Sequence, residues 1–260
     1  MIDVRLKNER EARSRDFVII PHRPNYLLPV TYNTSVNRAP YGAEGEQLSP
    51  VEVKFQISFK VPIAEHLFGS TGDLYAAYTQ VSFWQAYDHN SSSPFRETNY
   101  EPEGFLAFGT NTDILGLRNR IAVLGLVHQS NGRAEPLSRS WNRAYVQFLL
   151  DRGRFALSLK PWYRFPEGAS ADDNPDINRY MGPGEVRMLY EWKKYVAAAM
   201  FRCNFRPDNL YGAVQLEGSF PLMAKINGYA QYFYGYGESL IDYNARSNRI
   251  GIGILLTDWL

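Results

Sequence analysis

A single cysteine, Cys203, in 260 residues excludes a disulfide within the chain, so covalent cross-links contribute nothing to its stability. Charge of one sign is equally scarce. The 28 Lys and Arg stand against 27 Asp and Glu, which leaves no net field to draw the chain to nucleic acid or to an anionic surface. Long apolar runs are missing too: the best, 195–201, falls far short of the roughly 18 residues a spanning helix needs. The start, M-I-D-V-R-L-K-N-E-R-E-A-R-S-R-D, has no apolar core of a signal peptide, an absence that does not place the chain in the cytoplasm. No pair of histidines has zinc-ligand spacing, and His22, His66 and His89 read as isolated surface or packed residues. No glycine loop of the P-loop or dinucleotide kind is present. In G-Y-G-E-S at 235–239 the serine does not sit between the glycines, so it is no nucleophile elbow.

What the chain does have is aromatics, 15% of residues, at a mean hydropathy of −0.37. Both a soluble β protein and a transmembrane barrel with a polar lumen show that combination. Alternation decides between fold classes. In 54–61, Phe55, Ile57, Phe59 and Val61 interleave with Lys54, Gln56, Ser58 and Lys60, a period of two. Similar alternation recurs in 73–85, 98–111, 118–130, 141–151, 154–164, 184–192, 194–203, 211–219, 225–235 and 249–256, and 26–34 adds an edge-like strand with Pro29 inside it. About twelve strands result, an even number of the length a tilted crossing needs. The non-apolar faces carry Lys54, Lys60, Arg143, Gln147, Lys160, Arg164, Arg187, Glu191, Gln215 and Glu217, too many charges for a sandwich core. Arg152-Gly153, Lys193-Lys194 and Pro221-Leu222 read as tight turns, whereas 88–95, 131–140, 166–182 and 237–247 read as longer polar loops. Short turns on one rim and long loops on the other are the asymmetry of an outer-membrane barrel. The expected architecture is therefore all-β, a twelve-stranded antiparallel transmembrane β-barrel over 26–260, preceded by an N-terminal arm, 1–25, read as exposed. A soluble β-sandwich is the competing fold, because alternation alone does not say whether the apolar face meets lipid or another sheet.

The stretch 120–150 concentrates the polar anomalies. His128 and Ser130 share a strand face with Leu126, Leu124 and Ala122, and Asn142 shares one with Ala144, Val146, Phe148 and Leu150. A hairpin of the two runs would bring an imidazole, a hydroxyl and an amide together on an apolar surface. Ser130 then reads as a nucleophile, His128 as its base and Asn142 as the group that fixes the imidazole tautomer. An Asn orienter supplies a hydrogen bond but no charge, so it stabilises the imidazolium less than Asp would, and some other positive or donor group must carry the oxyanion. An H-x-S pair alone is a weak signal, and a polar strand end is its bland reading. The loop that follows adds weight, since Glu135, Ser138, Ser140 and free carbonyls suit a hard cation such as Ca²⁺. D-D-N-P-D at 172–176 is a second oxygen-rich loop, equally compatible with a solvated turn. Gln80 shares a face with Leu74, Ala76 and Tyr78; facing lipid it would need a partner, which a second copy of the chain could supply, and facing the lumen it would be ordinary.

These residues carry a resemblance. H-Q-S-N-G-R-A-E-P-L-S-R-S-W-N-R resembles the active-site region of the bacterial outer-membrane phospholipase A family. S-S-P-F-R-E-T-N-Y-E-P at 92–102, K-P-W-Y at 160–163, D-D-N-P-D-I at 172–177 and Y-G-E-S-L-I-D-Y-N at 236–244 match as well. The resemblance covers the chain from about Lys54 to its end. It implies a twelve-stranded barrel in the outer membrane that hydrolyses phospholipid acyl esters, of A1, A2 and lysophospholipase type, with Ca²⁺ as cofactor and dimerisation as activator. Ser130, His128 and Asn142 match the catalytic set. The Arg133 carbonyl and Ser138 hydroxyl match calcium ligands of one subunit, Ser92 the ligand donated by the partner subunit, and Asp173 a secondary calcium site. Gln80 matches a buried interfacial glutamine of the homodimer, and the calcium and the Ser130 amide are expected to share the oxyanion. Gln129 stands in place of an acidic residue, Glu135 in place of Asp, and the penultimate Trp259 departs from a terminal aromatic. The active site is expected toward the outer leaflet. A non-catalytic barrel, either a porin-like channel or a lipid-binding structural protein, is the alternative of the same fold, and a soluble esterase is the alternative of another.

Overall fold

The computed structural model describes residues 2–13, 18–89, 92–168, 172–223 and 226–257. Helix α1 (Ile2–Arg13) and a two-residue strand β1 (Ile20–Pro21) precede β2 (Asn25–Asn33), β3 (Val51–Ala64), β4 (Asp73–Trp84), β5 (Phe95–Ile114), β6 (Leu117–Ser130) and β7 (Ser140–Arg152). Then follow β8 (Phe155–Arg164), the short helix α2 (Ile177–Met181), β9 (Gly184–Trp192), β10 (Tyr195–Cys203), β11 (Gly212–Met223), β12 (Ile226–Tyr236) and β13 (Arg246–Thr257). Each strand from β2 to β13 pairs antiparallel with its neighbours in sequence, and β13 returns to pair with β2 through Ile250↔Tyr32 and Ile252↔Val30. The sheet is thereby closed as a twelve-stranded barrel, with β1 appended to β3 through Ile20↔Lys60. Closure removes the unpaired edges that lipid would not tolerate.

The two faces follow the two solvents. Outward positions are apolar and exposed, as at Leu126 (61%), Ile57, Tyr190, Leu216, Ile250 and Leu256. The interior holds charges in pairs: Lys54 (3% exposed) with Glu238 of the 237–245 loop at 3.0 Å, Arg187 with Glu217 across strands at 2.9 Å, and Arg23, ahead of β2, with Glu101 and Glu103 at 2.5 and 3.1 Å. A buried ion is costly without a partner, so these pairs let a polar lumen persist inside an apolar shell. The connections alternate in length. On one rim they span 34–50, 85–94, 131–139, 165–183, 204–211 and 237–245; on the other, residues 115–116, 153–154 and 193–194 are two-residue turns, and 65–72 is the one described connection there of more than two residues.

Two details depart from the sequence reading. The N-terminal residues are not an exposed arm: Ile2 packs among Ala156, Leu189 and Ala198, its amide donates to Asp151 Oδ2 at 3.2 Å, and Lys60 Nζ donates to Glu9 Oε2 at 2.9 Å. Helix α1 lies in the lumen near the short turns, where a helix charged on most sides finds partners that water would otherwise supply. Pro221 and Leu222 are not a turn but part of β11, with Pro221 paired to Asn227. The penultimate Trp259 lies outside the described residues.

The long-loop rim is capped from inside. Trp141, buried completely at the start of β7, packs with Ile177 and Met181 of α2 and with Leu240 and Tyr243 of the 237–245 loop. The Trp162 ring meets it edge-on at 6.1 Å, and the Arg143 guanidinium lies 3.9 Å from the Trp141 ring centre. The wall between lumen and lipid is thus stiffened where the polar groups of β6 and β7 emerge.

Candidate active site

Strands β6 and β7 run in a register that sets His128 opposite Asn142 and Ser130 opposite Ser140. Cross-strand neighbours share a face, so all four point outward, as the alternation required. The His128 Nδ1 and Asn142 Oδ1 are 2.8 Å apart. Asparagine oxygen can only accept, so Nδ1 carries the proton and Nε2 keeps its lone pair. His128 is exposed to the lipid side, while Asn142 and Ser130 are half-buried. No hydrogen bond joins Ser130 Oγ to the imidazole among the described residues; such contacts are often loose in unliganded enzymes. The Ser130 amide fits its expected oxyanion role poorly. The Asn131 amide bonds the Arg139 carbonyl of the opposite arm, so alternation turns the Ser130 amide toward Tyr100, its partner on β5, and into the sheet.

The loop 131–139 is organised by Asn131. Its Nδ2 donates to the Leu137 carbonyl at 2.8 Å, and its Oδ1 accepts from the Arg133 and Arg139 amides at 3.3 and 3.0 Å. Gly132, at φ +64, supplies the left-handed step that lets the chain leave β6. The Arg133 guanidinium donates to the Phe95 and Arg96 carbonyls and lies 3.5 Å from Glu97, tying the loop to the start of β5. Ser138 Oγ donates to Asp173 Oδ2 at 2.5 Å, which joins the two oxygen-rich loops. Ser92 sits in the β4–β5 connection with Ser93, both at positive φ, held by Trp84 Nε1 donating to the Ser93 carbonyl and by Ser93 Oγ donating to the Ala86 carbonyl. Its own side chain is exposed. No group of three or more His, Cys, Asp or Glu is arranged to hold a metal ion among the described residues. The donors joined here are the Ser138 hydroxyl and the Asp173 carboxylate, which suit Ca²⁺ rather than a softer metal, but are fewer than the six to eight oxygens it takes. The residues therefore fit a calcium ion whose shell is completed from elsewhere.

Gln80 faces outward. Tyr78 Oη donates to its Oε1 and its Nε2 donates to Ser82 Oγ, each at 3.0 Å, so within one chain its amide is partly satisfied. Pairings Gln80↔Tyr100 and Tyr100↔Ser130 put Gln80 at the height of Ser130, two strands away, or about 10 Å. Sequence reasoning missed two residues here. Asn131 is hidden in an unremarkable S-N-G, and only its burial marks it. Glu167 accepts from Asn142 Nδ2 at 2.9 Å from a loop 25 residues away, and no local pattern could have found it.

Residues 2–256 match the family model described as Phospholipase A1. A Phospholipase A1 of Klebsiella pneumoniae is 38% identical over 255 residues, covering 97% of this chain and 87% of the relative. The fold is similar to that of outer membrane phospholipase A from Escherichia coli, with a TM-score of 0.89, 38% identity and coverage of 95% of this chain and 94% of that one. It is also similar to an outer membrane phospholipase dimer of Salmonella typhi with bound calcium, with a TM-score of 0.88, 38% identity and coverage of 94% of each chain.

Proposed function

Since the chain belongs to the phospholipase A1 family, we propose that Ser130, His128 and Asn142 are the catalytic set with which this outer-membrane barrel hydrolyses the acyl esters of phospholipids, and that calcium and dimerisation switch it on. The observation that carries the reading is the 2.8 Å His128–Asn142 contact on the outside of the barrel, where a membrane lipid can reach it. The long connections lie on the outer rim in barrels of this kind, so the centre faces the outer leaflet.

Ser130 Oγ attacks the acyl carbonyl as His128 Nε2 takes its proton. Asn142 Oδ1, accepting from Nδ1, fixes the ring in the tautomer that makes Nε2 basic. The imidazolium returns the proton to the departing lysophospholipid alcohol, and His128 then activates the water that cleaves the acyl-enzyme. The Arg133 carbonyl and the Ser138 hydroxyl, with Asp173 beside it and Ser92 of a second copy, would hold calcium. Bound there, the ion would supply positive charge toward the developing oxyanion, a task separate from that of the orienter, which faces the imidazolium.

The dimer reading rests on the row Gln80, Tyr100, Ser130, which puts a lipid-facing amide beside the site and makes one surface serve both association and chemistry. Chelation of a detergent-solubilised sample is expected to stop hydrolysis of a diacyl phospholipid, and added calcium to restore it; undiminished turnover in chelator would remove the cation from the scheme. Gln80→Ala is expected to weaken calcium-dependent dimerisation by roughly 0.6–1.7 kcal/mol, the scale of interhelical hydrogen bonds measured within membranes. Sedimentation equilibrium in detergent measures it, and an unchanged dissociation constant would take Gln80 out of the interface.

A further inference from the structure

Asparagine as the third member leaves a question of charge. When His128 takes the Ser130 proton it becomes a cation, and the Asn142 amide offers it a dipole where an aspartate would offer a full negative charge. The Asn142 amide has a second end. Its Nδ2 donates to Glu167 Oε1 at 2.9 Å while its Oδ1 meets His128 Nδ1 at 2.8 Å. The amide therefore bridges an imidazole and a carboxylate. We infer that Glu167 is a positioning residue of the catalytic centre, locking the Asn142 amide with its oxygen toward His128 and placing a negative charge one hydrogen bond behind it. The inference rests on the reading of Ser130, His128 and Asn142 as the catalytic set.

Three observations support it. A flipped Asn142 amide would aim its nitrogen at the Nδ1 proton and its oxygen at a carboxylate, so Glu167 makes the productive orientation the stable one. Hydrogen bonds in series polarise one another, so the bond that Asn142 accepts from the imidazolium strengthens when its N–H is held by an anion. The loop is also fixed near the site, because the Phe165 amide donates to the Asn142 carbonyl at 2.9 Å and the Phe165 ring packs edge-on to Tyr163 at 5.8 Å. Glu167 is half-buried, so its charge is screened only in part.

The charged and titratable surroundings are few. Outward from the strands beside His128 stand two phenols, Tyr100 on β5 and Tyr163 on β8. Glu101, Arg143 and Arg164 of the same strands are buried on the lumen side, where Arg164 pairs with Asp172 at 2.6 Å. On the 131–139 loop are Arg133, engaged with Glu97, then Glu135 and Arg139; Asp173 accepts from Ser138. Among the described residues, Glu167 is the carboxylate hydrogen-bonded to the His128–Asn142 pair.

Glu167→Gln tests the charge, because glutamine keeps an acceptor oxygen and loses the anion. In the full-length, calcium-loaded protein it is expected to lower kcat about five- to tenfold with KM unchanged. The acid limb of the kcat/KM profile is expected to move to lower pH, as loss of a nearby anion disfavours the imidazolium formed in the reaction. Glu167→Ala should lose more, and Glu167→Asp should recover part. In an Asn142→Ala background Glu167→Gln should change nothing further, because the bridge is already gone. Unheated gel migration shows whether each variant is a folded barrel. Wild-type kcat and an unmoved acid limb in both Glu167→Gln and Glu167→Ala would overturn the inference, as would a Glu167→Gln loss that persists undiminished without Asn142. Ser130→Ala, assayed alongside, separates the two readings. Full activity there would sink the catalytic set itself, whereas a dead Ser130→Ala with silent Glu167 variants would sink the positioning role alone.

Discussion

Ser130→Ala is expected to lower phospholipid hydrolysis in mixed micelles by about 10⁵–10⁶-fold, the order seen when a serine triad loses its nucleophile. The loss should fall on kcat, because the hydroxyl is used in bond making, while the apolar outer strand faces are untouched. Ser130 is half-buried on the outer face of β6 opposite Ser140, so removing one oxygen leaves the sheet intact. The variant should fold and should dimerise with calcium like the parent. Those two controls matter, since a drop in turnover with a lost dimer would report on assembly rather than on chemistry. Activity within tenfold of wild type in a folded, dimeric variant would dismiss Ser130 as nucleophile.

Trp141→Ala is expected to destabilise the barrel by about 3–5 kcal/mol, the cost of truncating a large buried aromatic. Trp141 is fully buried and packs against α2 and the 237–245 loop. Its Nε1 donates to Gln129 Oε1 at 2.7 Å, which Arg143 also approaches at 3.2 Å. Truncation opens a cavity, takes one donor from Gln129 and removes the ring on which the Arg143 guanidinium rests. Urea unfolding in detergent measures the change. Trp192, half exposed at the end of β9, is the matched control, whose truncation should cost far less. Equal losses at both positions would show that the cap over the rim does not stiffen the wall. The residue next to Trp141 is Asn142, so the variant is also expected to turn over more slowly than its remaining folded fraction explains.

The strands were legible because lipid and lumen make opposite demands on alternate residues. The reading of 184–192 as a strand coincides with β9, and most other boundaries move by three residues or fewer. Where the reading failed, the cause lay in contacts that alternation does not encode. Pro221 suggested a turn, yet a proline near a strand end is tolerated wherever its missing donor is not needed by the ladder. Helix α1 has no apolar stripe to announce it; its partners, Lys60 and Asp151, are remote in sequence. The side chains proposed for catalysis, Ser130, His128 and Asn142, stood out in the sequence as polar groups on an apolar face, and the resemblance suggested their roles. The Ser138–Asp173 bond and Glu167 were not visible, because each joins two loops that only the closed barrel brings together.

The filled lumen has a consequence for the cell that carries this protein. Arg23, Lys160, Glu185 and Arg187 line both internal cavities, of about 580 and 150 Å³, so paired charges divide the interior, and α1 occupies part of the larger space. A barrel so obstructed offers small solutes no wide path. The envelope can therefore hold the enzyme permanently without surrendering its permeability barrier, and the damage the enzyme can do is confined to what its outer wall does to the lipids around it.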